Sequence, residues 1–200
     1  MIDLPLTPVS PLDKRAAHII HTFAVLQAGI AFTLANTALG DTVLVTGLTL
    51  YLIHKLGKLY GVQDVSAQQV LGQCLAYYGG TYLSSKLLFW LPGIGNWANA
   101  TATLLLVETV GWTCVSLFSS QLDPTNLKPS QWRELLRKAR RQAEIHQAAN
   151  KRILSKMTAQ DRARLEAIQR RLKESDLSEK EKERLYQTIE SLYQEIKNRP

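Results

Sequence analysis

The fold is decided by residues 87–118, LLFWLPGIGNWANATATLLLVETVGWTCVSLF, in which a short break separates two apolar runs. Proline has no backbone N–H to donate and glycine tolerates positive φ, so Pro92, Gly93 and Gly95 predict a turn between two helices. After the turn, residues 97–118 contain one charged side chain in 22 positions. A helix of about 20 apolar residues is long enough to cross a hydrocarbon core. The stretch therefore predicts an all-α fold that contains a hydrophobic helical hairpin.

A second hydrophobic hairpin precedes this one in the chain. Residues 16–39 contain no Asp, Glu, Lys or Arg, and another apolar run, residues 42–53, begins directly after Gly40 and Asp41. A carboxylate at the start of a helix accepts hydrogen bonds from free N–H groups, so Asp41 is predicted to cap this helix. The two hairpins are predicted over residues 16–60 and 66–118.

The composition of the apolar runs fits two environments. Residues 70–91 contain Gly72, Gly79 and Gly80, and small residues let helix backbones approach closely in lipid, where no hydrophobic force drives helices together. The 12 residues of 42–53 are short for a full span, which needs about 20. A membrane domain is the leading prediction, and a soluble bundle whose apolar helices bury one another is an alternative.

Charge divides the chain into two parts. Five basic and five acidic side chains balance in residues 1–122, so the whole formal charge of +7 resides in residues 123–200. Two parts with such different solvent preferences predict separate domains. The predicted organisation is an N-terminal extension at 1–15, a hydrophobic four-helix membrane domain at 16–120, a linker at 121–129 and a basic helical module at 130–200.

The basic module has its own helix signals. Ser130 is predicted to cap a long helix, and Thr158 with Asp161 and Ser178 with Glu181 resemble capping boxes that open two further helices. These last two helices predict a charged helical hairpin at the end of the chain. The long helix carries a weak heptad stripe, typical of a coiled coil, at Trp132, Leu135, Ala139, Gln142, His146, Ala149 and Ile153.

The distribution of lysine and arginine predicts an orientation in the membrane. Lys14 and Arg15 precede the first hairpin, Lys55 and Lys58 lie between the hairpins, and the basic module follows the second. Cationic segments stay on the cytoplasmic side. We therefore expect a bacterial inner membrane, or another energised membrane, with both termini in the cytoplasm.

Three segments resemble a known family. They are GDTVL at 40–44, LTLYLIHKLGKLYG at 48–61 and LPGIGNWANATATLLLVETVGW at 91–112, and they are similar to the bacterial domain of unknown function 697, the YcjF-like group. The resemblance covers about residues 16–120 and implies a membrane-associated helical domain that is often joined to or encoded with small GTPase domains. The chain has no GxxxxGK[ST] segment, so a GTPase would be a separate partner.

Glu108 and Lys86 are the candidate polar residues within the membrane domain. A buried ionisable group in an apolar helix faces a partner or a water-filled cavity, and Lys86, His54 or Lys55 are the predicted counter-charges of Glu108. An ion or proton path and a structural ion pair are both open at this point. His18 and His21 stand three residues apart, but no further ligand accompanies them, so no metal is predicted.

The basic module predicts a surface for binding. Its candidate residues are Arg133, Arg137, Lys138, Arg140 and Arg141. They suit anionic lipid headgroups or a partner helix, and a plain solvated helix face is the alternative. Nucleic acid is disfavoured, because the interleaved aromatic residues of single-strand binders are missing.

No catalytic constellation or cofactor motif occurs in the sequence. The leading prediction is a non-enzymatic membrane protein that acts as a scaffold or accessory, with lipid, a protein partner on the C-terminal helices, and a second copy of the chain as expected contacts. The alternatives are a small transporter or channel-like oligomer that uses Glu108 in a polar path, and a soluble helical bundle.

Overall fold

The computed structural model describes residues 10–34, 40–62, 66–85, 94–172 and 176–200. Within these ranges, side chains are described except at 33–34, 40–46, 78–85, 94–96 and 179.

The predicted all-α class is confirmed, because every regular element of the described residues is helical. A short 3-10 turn, Pro124–Asn126, separates the fourth helix from the fifth. The helices are α1 Pro11–Leu34, α2 Gly40–Leu59, α3 Ala67–Ser85, α4 Ile94–Ser119, α5 Pro129–Ser155, α6 Ala159–Leu172 and α7 Glu179–Lys197.

Helix α4 is the central helix of the fold, and α1, α2, α3 and α5 all pack against it. Its neighbour α1 runs antiparallel, since Phe32 meets Trp97 at one end while Ile20 meets Gly111 further along. The side chain of Asn99 donates to the carbonyl oxygen of Ala31 at 2.8 Å and ties the same two helices together. Burial of α4 from several sides explains why its sequence is apolar around its whole circumference.

Antiparallel packing places the ends of four helices together. Thr49 of α2 donates to Gln27 of α1, while Tyr60 near the end of α2 donates to Asp13 near the start of α1. Helix α3 also runs antiparallel to α4, because Gln69 near the start of α3 donates to the carbonyl oxygen of Pro124, just after the end of α4. The C-terminal ends of α1 and α3 therefore lie at the same end of the bundle as the N-terminal ends of α2 and α4. We call this end, marked by Leu34, Gly40, Ser85 and Ile94, the turn end.

The backbone of α4 comes close to a side chain of α1 at Gly111. A Cβ built on Gly111 would lie 2.6 Å from Cγ1 of Ile20, which is itself fully buried. Among the glycines predicted to serve close packing in α3, Gly72 has open space around it. The side chains near Gly79 and Gly80 lie outside the described set.

The observed first residues of α4 and α5 differ from the predicted ones. Gly95 lies in the first turn of α4, so the break ends before it, while Pro92 and Gly93 lie outside the described residues. Helix α5 starts at Pro129 after Lys128, two residues earlier than a Ser130 cap requires. Pro129 is suited to this place because its missing N–H would have no intrahelical acceptor.

Both predicted capping boxes of the basic module are confirmed. Oγ1 of Thr158 accepts from the N–H of Asp161 at 3.2 Å, and the Asp161 carboxylate accepts from the N–H of Thr158 at 2.7 Å. The corresponding distances between Ser178 and Glu181 are 3.3 and 2.9 Å.

The charged helices pack onto the apolar ones. Helix α5 lies along α4, and α1 contacts α5, α6 and α7. The hydrophobic core is continuous from Ile20 and Leu104 in the apolar helices to Leu165 and Ile196 in the charged helices. We call α5, α6 and α7 the cover helices, because their apolar faces shield α1 and α4 from water.

The heptad stripe of α5 faces the protein itself. Trp132, Leu135 and Ala139 are buried as the stripe predicts, but the buried positions at the far end of the helix are Asn150 and Leu154. The stripe has moved by one residue, because a straight helix has 3.6 residues per turn and drifts by about 20° per heptad. Within the chain, this stripe packs chiefly against α4.

One helix in the described part of the chain, Trp97–Ser119, is long and apolar enough to cross a membrane. Within its most apolar window, 78% is buried inside the protein. The core helix of a soluble protein meets the same criterion, so its composition alone does not place it in lipid.

Candidate functional site

Glu108 lies at the meeting point of α1, α4 and α5 and is completely buried. Its Oε1 lies 2.6 Å from Nδ1 of His21 and accepts from Nδ2 of Asn150 at 2.7 Å. Its Oε2 accepts from Nε1 of Trp112 at 2.9 Å. One carboxylate is thereby hydrogen-bonded to three helices, which is how a buried charge becomes tolerable.

His146 completes this cluster from α5. Its ring stacks on Trp112 at a centroid distance of 5.6 Å and lies 4.7 Å from the ring of His21. The Nε2 atom of His146 is buried and has no hydrogen-bond partner among the described residues. Burial lowers the pKa of His146, His21 lowers it further, and Glu108 opposes both. We call Glu108, His21, Trp112, His146 and Asn150 the hub.

Two of the three predicted counter-charges of Glu108 lie in the described part of the chain, and neither of them pairs with it. Lys55 pairs instead with Glu190 of α7, and His54 is exposed. Lys86, the other candidate within the membrane domain, lies outside the described residues. The partner of Glu108 is His21. Its spacing of three residues from His18 suggests a metal ligand and gives no indication of this role.

His18 and His21 contact different cover helices. The ring of His18 meets Tyr193 edge to face at 5.9 Å, and its Nε2 lies 3.1 Å from Nε2 of Gln194, both on α7. His21 instead contacts the hub residues of α4 and α5. The described residues contain no group of three or more His, Cys, Asp and Glu placed to hold a metal ion.

Helix α7 is fastened to α2 by polar and aromatic contacts. Tyr51 stacks on Tyr186 with ring centroids 3.3 Å apart and donates to Glu183 at 3.1 Å. The ammonium group of Lys55 pairs with the Glu190 carboxylate. These contacts are more solvated than the hub, so each contributes less to the attachment of the cover.

Three side chains form an aromatic and cationic cluster at the turn end. Trp97 is 43% exposed and meets Phe32 edge to face at 5.1 Å. The guanidinium group of Arg162, from α6, lies 5.0 Å from the Phe32 ring. Tryptophan and arginine side chains together are typical of the level at which lipid headgroups meet hydrocarbon.

The predicted basic residues of α5 divide into two sets. Lys138 pairs with Glu134 at 3.1 Å and Arg140 pairs with Glu144 at 3.0 Å. Arg133, Arg137 and Arg141 are exposed, and none of them forms an ion pair with another described residue. Their spacing of four places them on one face of the helix. We call these three residues the arginine row.

The arginine row lies far from the turn end. Because α5 runs antiparallel to α4, with His146 beside Trp112 and Asn150 beside Glu108, the first half of α5 lies near the end of α4. At a rise of about 1.5 Å per residue, that end is roughly 30 Å from Trp97.

The remaining predicted residues give a mixed result. The side chain of Asp41 lies outside the described set, although the residue itself is in the first turn of α2. Cys74 and Cys114 are free and buried, as expected of thiols that pack as small apolar groups. The heptad stripe predicted His146 as a packing position, but no sequence pattern indicated its place beside Trp112 and His21. Asn150 was missed altogether, because an asparagine in the middle of a helix has no distinctive spacing.

No family model matches the chain, and no match to it was found among curated proteins or solved structures.

Proposed function

We propose that this chain is a non-enzymatic, membrane-associated scaffold that meets lipid with its turn end and presents its cover helices to water. The observation that carries this proposal is the exposed Trp97 beside Phe32 and Arg162, at the end of the bundle where α1 and α3 end and α2 and α4 begin. The sequence around that end supports it. Residues 33–47 contain Asp41 as their one charged side chain, and residues 75–101 contain Lys86 as theirs.

Shallow insertion of the turn end fits the packing better than a full span of α4. Helix α5 flanks α4 and carries the exposed Arg152 two residues from Asn150, which is the residue beside Glu108 in the middle of α4. A full span of Trp97–Ser119 would carry this part of α5 into hydrocarbon, where a charge at the centre costs about 2.5–3.5 kcal/mol on insertion scales. Insertion up to the level of Trp97 leaves this charge in water.

The arginine row supports the scaffold part of the proposal. It lies on the opposite part of the bundle from Trp97, so it cannot touch the bilayer that holds the turn end. Three guanidinium groups spaced by about 6 Å along a helix suit carboxylates on a partner protein. The resemblance to the YcjF-like group makes a small GTPase the first partner to test.

A transport path through Glu108 has less support. Both carboxylate oxygens already accept hydrogen bonds from Trp112 and Asn150, and His21 lies within hydrogen-bond distance. An ion path needs a carboxylate that can exchange its partners. The described surroundings of Glu108 suit a structural role.

Vesicle flotation of the full chain tests the proposal at about neutral pH, where carboxylates are ionised. We expect the wild-type chain to float with vesicles of mixed neutral and anionic lipid, and Trp97→Ser to reduce the floating fraction several-fold. Ile145→Ser is the matched control, because Ile145 is 53% exposed on the outer face of α5, away from the turn end. A wild-type chain that stays in the aqueous fraction would establish the soluble-bundle alternative.

A further inference from the structure

Histidine side chains join α1 to two of the cover helices, α5 and α7. His21 meets His146 of α5, and His18 meets Tyr193 and Gln194 of α7. His54 and His18 are both exposed, but among the described residues only His18 of these two contacts a cover helix. Three of the four histidines are therefore placed where the cover is attached to the apolar helices.

The hub has a charge balance that depends on proton uptake. The one carboxylate of the hub, that of Glu108, already lies 2.6 Å from Nδ1 of His21. A proton on His146 adds a positive charge to a ring whose centroid lies 4.7 Å from that of His21, and the buried Nε2 of His146 has no acceptor among the described residues. A charge on a buried atom without a partner is unfavourable. The stack on Trp112 offsets only part of this cost as a cation–π contact, so the net effect opposes protonation.

The groups that face these histidines come from every helix packed around them. His146 faces His21 of α1 and Glu108 and Trp112 of α4. The hydroxyl-bearing Tyr193 of α7 is also close enough for Glu108 to affect it. His18 faces Lys197 and Glu190 of α7, Lys55 of α2 and His21 of α1.

The two histidines respond to pH in the same direction. Burial is the largest cause that lowers the pKa of each one, followed by His21 for His146 and by Lys197 for His18. A lowered pKa means that the released state binds protons more readily than the packed state. The attachment is therefore complete above the ordinary histidine value of about 6.5 and weakens as pH falls through it.

We propose that His146 and His18 form an acid-sensitive latch, whose protonation loosens α5 and α7 from α1 and uncovers the apolar face of α4. The latch is a property of the bundle in water. Its consequence, deeper insertion of α4 into lipid at acidic pH, rests on the membrane association proposed above.

Hydrogen exchange of the full chain without vesicles tests the latch. We expect amide exchange in residues 104–117, corrected for its intrinsic pH dependence, to accelerate several-fold between about pH 7.5 and pH 5, because the released state binds protons more readily than the packed state. The double variant His18→Gln with His146→Gln should lose most of this acceleration, while His54→Gln should retain it. His146→Phe keeps an aromatic ring on Trp112 and replaces the glutamine variant if that variant fails to fold.

The outcome of this experiment is independent of lipid. Equal exchange at the two pH values in the wild-type chain, or equal acceleration in the double variant, would overturn the latch. Acceleration that disappears in the double variant supports it, even if the chain never floats with vesicles. Flotation repeated at both pH values then tests insertion alone.

Discussion

Nδ1 of His21 lies 2.6 Å from Oε1 of Glu108, across 87 residues of sequence. This contact joins α1 to the central helix α4, and Asn150 extends it to α5. Apolar faces slide past each other at little cost, whereas a buried carboxylate needs its donors at fixed positions. The hub therefore sets the register of three helices and decides which part of α4 is covered.

Removal of the Glu108 carboxylate should strongly destabilise the fold. Glu108→Ala leaves His21, Asn150 and Trp112 without their acceptor, and loss of one partner of a buried pair typically costs about 3–5 kcal/mol. Urea unfolding at about neutral pH measures the change. Glu134→Ala, which removes an exposed partner of Lys138, should change the free energy of unfolding far less. Similar effects of the two variants would contradict a structural role for the hub.

Two glycine substitutions should change stability in opposite directions. Gly72→Ala adds a methyl group in open space within α3 and should stabilise by about 1 kcal/mol, the helix preference of alanine over glycine. Gly111→Ala places its Cβ 2.6 Å from Cγ1 of Ile20, and such overpacking costs about 1–3 kcal/mol. Thermal melting of both variants measures the contrast. Equal stabilisation by both would show that α1 and α4 are not packed this closely.

A clasp between the end of α7 and the start of α6 should be sensitive to acid. The guanidinium group of Arg199 donates to both oxygens of Asp161, at 2.6 and 3.1 Å, and holds the pKa of that carboxyl well below its usual range. A lowered carboxyl pKa stabilises the fold above the ordinary value of about 4, and this stability is lost as pH falls further. Arg199→Ala should therefore lower the melting temperature by a few degrees at about pH 6. The further decrease in melting temperature between about pH 6 and about pH 3 should be smaller in this variant than in the wild-type protein.

The control for this clasp is Arg164→Ala. Arg164 pairs with Glu195 at 2.9 Å on the same two helices, but both side chains are about half exposed. Exposed pairs contribute little, so this variant should melt close to the wild-type protein at both pH values. If the melting temperature of Arg164→Ala fell as far as that of Arg199→Ala, any ion pair between α6 and α7 would have this effect, and the burial of Asp161 would not explain it.

Charge reversal in the arginine row should leave stability and lipid binding unchanged. Arg137→Glu with Arg141→Glu alters two exposed side chains that lie roughly 30 Å from Trp97 along the helix axis. Surface changes of this kind stay within about 0.5 kcal/mol. Flotation with anionic vesicles should match the wild-type chain. A loss as large as that of Trp97→Ser would mean that the row meets lipid and is not a partner surface.

Local signals predict much of the helical structure. The capping boxes at Thr158 and Ser178 were found from sequence because all their hydrogen bonds lie within four residues. The apolar composition of α4 along its length could also be predicted from the sequence. Composition could not separate burial by lipid from burial by other helices, because both environments exclude water from the same side chains.

Long-range contacts are where prediction failed. Nothing in the sequence around Glu108 indicates that its partner is His21 rather than Lys55, since any imidazole or ammonium group satisfies a carboxylate. The apolar stripe of α5 could be predicted from the sequence. The helix against which it packs could not, because an amphipathic face does not specify its packing partner. Only the packing of α5 on α4 shows that the charged helices cover the apolar ones.

The most direct test of the account is the depth of three labelled positions in vesicles at about neutral pH. A fluorophore on Gln160→Cys, an exposed position of α6 two residues from Arg162, leaves Trp97 in place and should be quenched by a nitroxide placed near the lipid headgroups. The same fluorophore on Ile145→Cys or Arg137→Cys, both exposed positions of α5, should be quenched only by iodide in water. If the label at 145 is instead quenched by nitroxides deep in the hydrocarbon and protected from iodide, α4 and its cover enter the bilayer, and docking by the turn end is wrong.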